Sequence, residues 1–281
     1  MKKSLLVTLA LSLVLVAAGC SKTTENTTEE VATEVEDATE AVEEDAAEAE
    51  DTAEAETEAD TENATAEGVM SYADYVAADV DTEVCVETYV QAKQAWWEDN
   101  GVGQATFYTQ NQDGAFFVYN LPCSQEDYDK LVPGTKIKVT GFKSEWSGEV
   151  EITDATYEIE DTDTFVADAK DVTDLLGKDE LIDYQNQFVS FKGMTVEAAN
   201  DAGDAFLYKW DGSGTEGDDL YFNVSLDGNT YTFTVESYLC DKDSDVYKAV
   251  QNLKVGDVVD MEGFLYWYEG VNPHITSVSV Q

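Results

Sequence analysis

Apolar and polar residues alternate between Glu83 and Lys93, which is the spacing of a half-buried β-strand. One face of this predicted strand carries Val84, Val86, Thr88, Val90 and Ala92. Similar patterns predict further strands over residues 105–111, 115–121, 135–143 and 149–159. The Asp113-Gly114 pair is typical of a tight hairpin turn. Ser124 is a favoured N-cap for a short helix that we expect up to Leu131.

The second half of the chain repeats this order of elements. Strands are predicted over residues 187–196, 205–210, 220–225, 230–236, 257–268 and 273–280, with a helix over 244–253. Short helical segments are expected at 72–75, 171–176 and 180–184, ahead of the two groups of strands. Residues 197–219 form an enlarged insertion rich in Gly and Asp.

The stretch from Leu131 to Phe142 recurs 122 residues later as Leu253 to Phe264. In both copies leucine is followed by glycine three residues on and by a Gly-Phe pair ten residues on. A repeat of this length indicates two copies of one domain. Ile137 and Val139 correspond in parity to Val259 and Met261, so the same face of the strand is expected to point inward in both copies.

Five strands with a helix between the third and fourth, and a glycine that bends the fourth strand, resemble the OB-fold (oligonucleotide/oligosaccharide-binding). In style the chain is similar to small OB modules of bacterial extracytoplasmic lipoproteins. The predicted fold is therefore all-β with short helices: two tandem five-stranded OB-fold barrels, at 69–165 and 166–281, after a disordered acidic tether. The resemblance implies a ligand face framed by the loops that follow the first and fourth strands.

The N-terminus has a basic start followed by an apolar run from Leu5 to Ala18. This length is typical of a secretory signal and too short for a membrane-spanning helix. The run ends in Val16-Ala-Ala-Gly-Cys20, which resembles the lipobox of bacterial lipoproteins, with Ala17 where leucine is commonest. We expect a signal peptide at 1–19, a lipid on Cys20 and a membrane-anchored protein that faces the extracytoplasmic side. An ordinary signal peptide with an incidental cysteine is the alternative.

Residues 20–68 contain almost only Thr, Glu, Ala, Asp and Val, and no aromatic side chain. Such a segment cannot bury enough apolar surface to offset its ordering entropy, so a disordered linker is predicted. The whole chain has 60 acidic residues against 15 basic ones, for a net charge of -45. This charge repels phosphate, and nucleic acid is therefore predicted to be a disfavoured partner.

Catalysis is not predicted, and no cofactor is expected. His274 is the only histidine, and in a terminal strand beside Pro273 a structural role is favoured. The expected function is that of a non-catalytic binding or adaptor module for a glycan, peptide or protein. An anionic scaffold of an envelope complex or transporter is one alternative, and binding of single-stranded nucleic acid, by analogy with the fold family, is another.

Aromatic residues near the predicted loops are the candidate ligand contacts, because their faces stack on sugar rings, bases and peptide side chains. The candidates are Trp96, Trp97, Trp146, Trp210, Trp267 and Tyr268. The alternative is that these rings cover the barrel ends or the interface between the two units.

Two acidic groups raise the question of calcium. Asp241, Asp243 and Asp245 have the spacing that opens an EF-hand loop, but the sixth position is not glycine and the twelfth is Asn252. A loop that caps the following helix is therefore favoured. A second cluster in the insertion consists of Asp201, Asp204, Asp211, Asp218 and Asp219.

Three cysteines, Cys85, Cys123 and Cys240, remain after Cys20 is set apart. Export permits disulfides, but an odd number leaves one thiol over or paired between molecules. Cys123 and Cys240 each follow the third strand of their unit, and the sequence does not decide which cysteines pair.

Overall fold

A computed structural model describes residues 68–281, and the predicted signal peptide, the Cys20 lipid site and nearly all of the acidic linker lie outside them. The described part is mainly β-structure. Its first half contains α1 (Tyr72–Ala77), β1 (Glu83–Lys93), β2 (Trp97–Asp99), β3 (Val102–Gln110), β4 (Ala115–Pro122), α2 (Gln125–Lys130), β5 (Thr135–Trp146) and β6 (Glu149–Thr164).

The first half closes into a five-stranded barrel. Its strand order is β1-β5-β6-β4-β3, and β1 pairs with β3 to complete the ring. All pairings are antiparallel except that of β4 with β6. A short strand, β2, pairs antiparallel with β3 but is not part of the ring. This order, with the third and fifth strands parallel, is that of an OB-fold, as the sequence predicted.

The second half forms a second closed barrel by the same rules. It contains β7 (Lys170–Asp171), two 3₁₀ helices (Thr173–Leu175 and Asp179–Tyr184), β8 (Phe188–Glu197), β9 (Leu207–Tyr208), β10 (Leu220–Leu226), β11 (Asn229–Val235), α3 (Asp245–Gln251), β12 (Val258–Phe264) and β13 (His274–Val280). The ring order is β8-β12-β13-β11-β10, closed by β8 with β10, and β11 runs parallel to β13.

The interior of each barrel is apolar and follows the predicted parity. Ile137 and Val139 are fully buried in the first core, and Val259 and Met261 occupy the second. The inward face of β1 is confirmed as well, with Val84, Val86 and Val90 buried. A one-residue slip in register would turn these side chains out of the core, so the alternation fixes the strand pairing.

The repeated glycines bend the fourth strand of each barrel. The pairing of β5 with β6 shifts register between Thr140 and Phe142, around Gly141. The pairing of β12 with β13 shifts between Glu262 and Gly263. A methyl group on Gly141 would lie 2.8 Å from the Thr153 carbonyl oxygen, so only glycine fits without displacement.

The insertion differs from its predicted structure. Instead of a strand over 205–210, only Leu207–Tyr208 forms β9, and most of the segment is held in turns. Asn200 and Asp211 accept hydrogen bonds from backbone N–H groups two residues ahead. Such side-chain bonds compete with a strand ladder. The strand predicted over 257–268 likewise ends at Phe264, and β2 was not predicted.

All three cysteines of the described region are free thiols. Cys123 is buried in the first core, and Cys240 packs against the second. The two equivalent positions therefore belong to separate barrels.

Candidate functional site

A third apolar cluster lies between the barrels and joins them. Tyr108 and Phe117 from the first barrel are buried against Phe264 from the second. The rings of Tyr108 and Phe264 are stacked, with centroids 4.5 Å apart. Two closed barrels thus share a small hydrophobic core of their own.

Hydrogen bonds across the same interface fix the barrels to each other. Tyr108 Oη lies 2.6 Å from His274 Nδ1. The Phe188 amide donates to Gln110 Oε1 at 2.8 Å, and the Ala95 amide donates to the Tyr238 carbonyl at 2.8 Å. These contacts connect several strands and loops, so the surface between the barrels is built into the fold.

The loops that follow the fourth strand of each barrel meet directly. The Glu269 amide donates to the Ser147 carbonyl oxygen at 2.7 Å. The Trp267 amide donates to Glu149 Oε2 at 2.9 Å. These loops are equivalent in the two repeats. Together they form one wall of a cleft between the barrels.

The cleft has a volume of about 710 Å³. Seven of its described lining residues are aromatic, two are acidic, and none is a lysine. The lining residues are Gln94, Phe117, Tyr119, Trp146, Trp210, Asp219, Tyr221, Glu236, Tyr266, Tyr268, Asn272 and His274. A concave aromatic surface with a few polar groups is the usual composition of a ligand site.

Three of the aromatic residues singled out from the sequence lie together at this cleft. Trp146 ends β5 and Tyr268 belongs to the β12–β13 loop, with ring centroids 5.1 Å apart. Trp210 comes from the insertion and is 70% exposed. Rings from both barrels therefore present accessible faces to one space.

The other three candidates are placed elsewhere. Trp96 packs against the first core, and its indole N–H donates to the Cys123 carbonyl at 3.0 Å. Trp97 is exposed on β2 and is not part of the cleft lining. Trp267 covers Gly148, where an added methyl would lie 2.9 Å from its ring. Packing against the first core accounts for Trp96, and coverage of the interface between the barrels accounts for Trp267.

Glu236 follows β11, lines the cleft and is 9% exposed. Its Oε1 accepts from the Tyr238 amide at 3.2 Å, and its Oε2 accepts from Gln94 Nε2 at 3.1 Å. Burial, followed by repulsion from Asp219, raises the pKa of Glu236 to about 7. This carboxyl group therefore changes charge near neutral pH.

Asp219 precedes β10 and is half-buried. Its Oδ1 accepts from the amide and the hydroxyl of Ser237, at 2.8 and 2.6 Å. These bonds hold the carboxylate in place beside Glu236. The sequence had placed Asp219 in a calcium cluster of the insertion.

His274 is buried at the rear of the cleft. Its ring stacks on Tyr266 with centroids 4.2 Å apart, and burial lowers its pKa to about 3. The imidazole is thus neutral and bonded to Tyr108, which matches the structural role expected from the sequence.

Several lining residues were missed by the sequence analysis. Phe117 and Tyr119 lie on the face of β4 opposite the core residues Phe116 and Val118. A strand with large apolar residues on both faces indicates that both faces are covered. That signal pointed to a surface between the barrels and was available in the run from Ala115 to Tyr119.

Several of the aspartates considered for calcium accept hydrogen bonds from backbone N–H groups in turns. Ser244 caps α3 by accepting from the Tyr247 amide, and Asp241 accepts from the Asp243 amide at 2.9 Å. Asp218 accepts from the amide of Thr215, three residues earlier in the chain, at 2.8 Å. Within residues 68–281 no three His, Cys, Asp or Glu side chains are grouped as metal ligands.

Comparison with known proteins finds similarity of fold only. No family model and no curated protein matches the chain. Similar solved structures include a murine DNA-binding protein bound with double-stranded DNA, at 10% identity over 70% of this chain and 94% of that one, with a TM-score of 0.33. A replication protein A heterotrimer bound to single-stranded DNA matches at 13% identity over 71% of this chain and 49% of that one, with a TM-score of 0.30. The tetrameric p202 HIN2 matches at 12% identity over 72% and 96%, with a TM-score of 0.31.

These comparisons correct the prediction that nucleic acid is a disfavoured partner. The similar chains include ones bound to double-stranded and to single-stranded DNA. The prediction averaged charge over the whole chain, whereas contact with a nucleic acid depends on a local groove and on stacking by aromatic rings. Net charge does not remove nucleic acid from the ligand classes to be tested.

Among residues 68–281 no helix is long and apolar enough to cross a bilayer.

Proposed function

We propose that this chain is a non-catalytic binding protein and that its ligand occupies the cleft between the two barrels. The observation that carries the proposal is the pair of rings from Trp146 and Tyr268, which come from different barrels and lie 5.1 Å apart at the cleft. Trp210 offers a third exposed face. Stacking on aromatic side chains contributes about 1–3 kcal/mol per base and suits any flat ring.

Ring-bearing ligands are the class that this lining supports. OB barrels bind oligosaccharides and oligonucleotides at their second and third strands and the adjoining loops. Tyr119 on the third strand of the first barrel and Tyr221 on the second strand of the second barrel occupy such positions. The oxygens of Asp219, Glu236 and Asn272 can accept hydrogen bonds from sugar hydroxyls or from base amino groups.

A glycan is the first candidate, because the ionised carboxyl groups of Asp219 and Glu236 are acceptors and sugars carry many hydroxyl donors. Single-stranded nucleic acid is the second candidate, favoured by the exposed stacking faces and by Lys209, which is exposed beside Trp210. The exposed rings in a concave site favour both ligands over a scaffold that has no small ligand.

The test is a binding screen with the full-length chain, using a glycan array and mixed-sequence single-stranded oligonucleotides at low salt. A Trp146→Ala variant should weaken binding by roughly 5- to 150-fold, the equivalent of about 1–3 kcal/mol. Trp97→Ala is the matched control, since Trp97 is also exposed but lies outside the cleft. Equal losses in both variants, or no binding of any ring-bearing probe, would contradict the proposal.

We further propose that the protein is a bacterial lipoprotein, held on the extracytoplasmic face of the membrane by a lipid on Cys20. The apolar run and the small residues before Cys20 support this proposal. Two or more acyl chains give stable attachment. The Cys20→Ser variant should lose incorporation of radiolabelled palmitate and leave the membrane fraction. Retention of label in that variant would contradict the anchor.

A further inference from the structure

Two acidic side chains of the cleft lack a basic partner. The ion pairs formed among the described residues involve Lys130, Lys136, Lys138, Lys192 and Lys242, and none of them includes Asp219 or Glu236. Glu236 is nonetheless nine-tenths buried. A buried carboxylate is costly unless an opposite charge or sufficient hydrogen bonds compensate it.

The hydrogen bonds present compensate these carboxyl groups only in part. Glu236 has one neutral donor on each oxygen, and Asp219 receives both of its donors on Oδ1. In the described part of the chain Asp219 Oδ2 has no hydrogen-bond partner. The pair therefore has acceptor capacity and negative charge that the protein does not use.

Aromatic residues line the same cleft as these two carboxyl groups. Trp146, Trp210 and Tyr268 are exposed in the cleft, and Tyr221 and Tyr266 line it beside Asp219 and Glu236. A cation over an aromatic face is attracted by the negative face of the ring, most strongly by tryptophan. A cleft lined by aromatic rings and two carboxyl groups is thus complementary to an organic cation.

The net negative charge of the folded part also favours a cationic ligand. Residues 69–281 contain twelve lysines against 41 acidic side chains. Such a field raises the local concentration of cations and speeds their association. The cleft itself has a volume of about 710 Å³, enough for a small organic molecule.

We propose that the cleft binds an organic cation, whose ammonium group lies between the Asp219 and Glu236 carboxylates and the aromatic faces of Trp146 and Trp210. This inference rests on the proposed binding function and names the charge of its ligand. An amino sugar combines such a group with a ring that stacks, and it links the inference to the glycan class.

Binding of a cation should strengthen as pH rises through the pKa of Glu236, which is about 7, because only the ionised form attracts the ligand. The neighbouring phenols of Tyr108, Tyr221 and Tyr266 and the thiol of Cys240 have raised pKa values, and the pKa of His274 is lowered to about 3. None of these groups changes charge between pH 6 and 8. Asp219 supplies the second negative charge.

The experiment measures the affinity of the full-length chain for matched pairs of probes by calorimetry. Choline is compared with its uncharged tert-butyl analogue, and glucosamine with glucose. We expect each cationic probe to bind at least about tenfold more tightly than its neutral partner, since about 1.4 kcal/mol of cation–aromatic and carboxylate attraction gives that ratio. Choline keeps its charge at every pH, so its Kd should fall about tenfold from pH 6 to pH 8.

Four variants locate the effect. Glu236→Gln keeps the shape of the side chain, and it should abolish the pH dependence and most of the preference for choline. Asp219→Asn should weaken the same preference independently. Glu262→Gln, at an exposed site on β12, makes the same change in net charge and should leave the preference intact. Burial also raises the pKa of Glu151 to about 7, but Glu151 does not line the cleft, so Glu151→Gln should keep the pH dependence.

The outcomes separate this inference from the proposed function. Equal affinity for cationic and neutral probes, or tighter binding of glucose polymers or oligonucleotides than of any cation, would overturn the inference and leave the binding function standing. A loss in Glu262→Gln as large as that in Glu236→Gln would reduce the preference to general attraction and also overturn it. Failure of every ring-bearing and cationic probe to bind would remove both.

Discussion

The hydroxyl of Tyr108 and Nδ1 of His274 lie 2.6 Å apart across the interface of the two barrels. Tyr108 belongs to β3 of the first barrel and His274 begins β13 of the second. Both side chains are buried, and each is packed against another ring, Phe264 and Tyr266 respectively. The only histidine of the chain therefore serves to join the repeats at the rear of the cleft.

Replacement of Tyr108 by Phe should destabilise the protein by about 1–3 kcal/mol, because it leaves His274 Nδ1 buried without a partner. The stacked ring on Phe264 is kept, so the loss reports the hydrogen bond. Chemical denaturation with urea measures the change in free energy of unfolding. Tyr238→Phe is the control, since Tyr238 is 68% exposed and the substitution retains its backbone bond to Ala95. Equal stability of the two variants would show that the bond contributes nothing.

An added methyl group should destabilise the protein to different extents at the glycines of the two bent strands, Gly141 and Gly263. At Gly263 a methyl would meet backbone atoms, with Ile275 Cα at 2.7 Å and the His274 carbonyl oxygen closer still. At Gly141 it would meet the Ile152 side chain as well as the Thr153 carbonyl oxygen, both at 2.8 Å. Backbone atoms move less readily than a side chain. Gly141→Ala should lower the free energy of unfolding by about 1–3 kcal/mol, and Gly263→Ala should lower it by more.

Thermal melts of both alanine variants measure this order. Gly263→Ala should also perturb the cleft, because its methyl pushes on the strand that carries His274. A smaller loss at Gly263 than at Gly141 would contradict the account of the bend.

The sequence predicted the barrels because their determinants are local and repeated. The alternation in β1, the Ser124 cap and the paired Gly-Phe positions each specify a short-range geometry, and the structure confirms them. The insertion was misjudged because its Asp, Asn and Gly residues favour turns more strongly than its few apolar residues favour a strand.

The site was harder to predict because it depends on how the two repeats meet. Trp146, Trp210 and Tyr268 were named from their positions in loops, but nothing local distinguished them from Trp96 and Trp267, which pack inward. Glu236 is one acid among many in the sequence. Its burial beside Asp219 follows only from the joining of the barrels, since Gln94 of the first barrel bonds to it.

The thiols should differ in reactivity. Burial raises the pKa of Cys123 to about 11 and that of Cys240 to about 12, so the reactive thiolate is scarce at neutral pH. Alkylation of the native protein at pH 7.5, followed by peptide mass spectrometry, should label Cys85 before either of them. In urea all three should react at similar rates. Early labelling of Cys123 in the native state would contradict its burial in the first core.

Glu149 lies buried between the barrels, where burial disfavours the ionised form of its carboxyl group. It is fully buried, with Oε2 accepting from Trp267 and Gln185. Its Oε1 and the nearby Asn186 Oδ1 are buried without a partner among the described residues. Burial raises the pKa of Glu149 well above its usual range. A protonated carboxyl group can donate a hydrogen bond to Asn186, which an ionised one cannot do.

The stability of the protein should therefore fall as pH rises above neutrality. The folded state holds a proton on Glu149 that the unfolded chain has released, so each rise in pH favours unfolding until Glu149 ionises. His274 has the opposite effect below its unfolded pKa of 6.5, and the comparison is therefore made between about pH 7 and 8.5. Glu151 and Glu236, whose pKa values burial raises to about 7, add a slope of the same sign near pH 7 in the parent and in the variant alike. Glu149→Gln cannot ionise and should reduce the slope, leaving the variant more stable than the parent at pH 8.5. Glu262→Gln, exposed on β12, should retain the parental slope, and urea denaturation at each pH measures both. If Glu149→Gln kept the full slope, another group would have to carry the pH dependence.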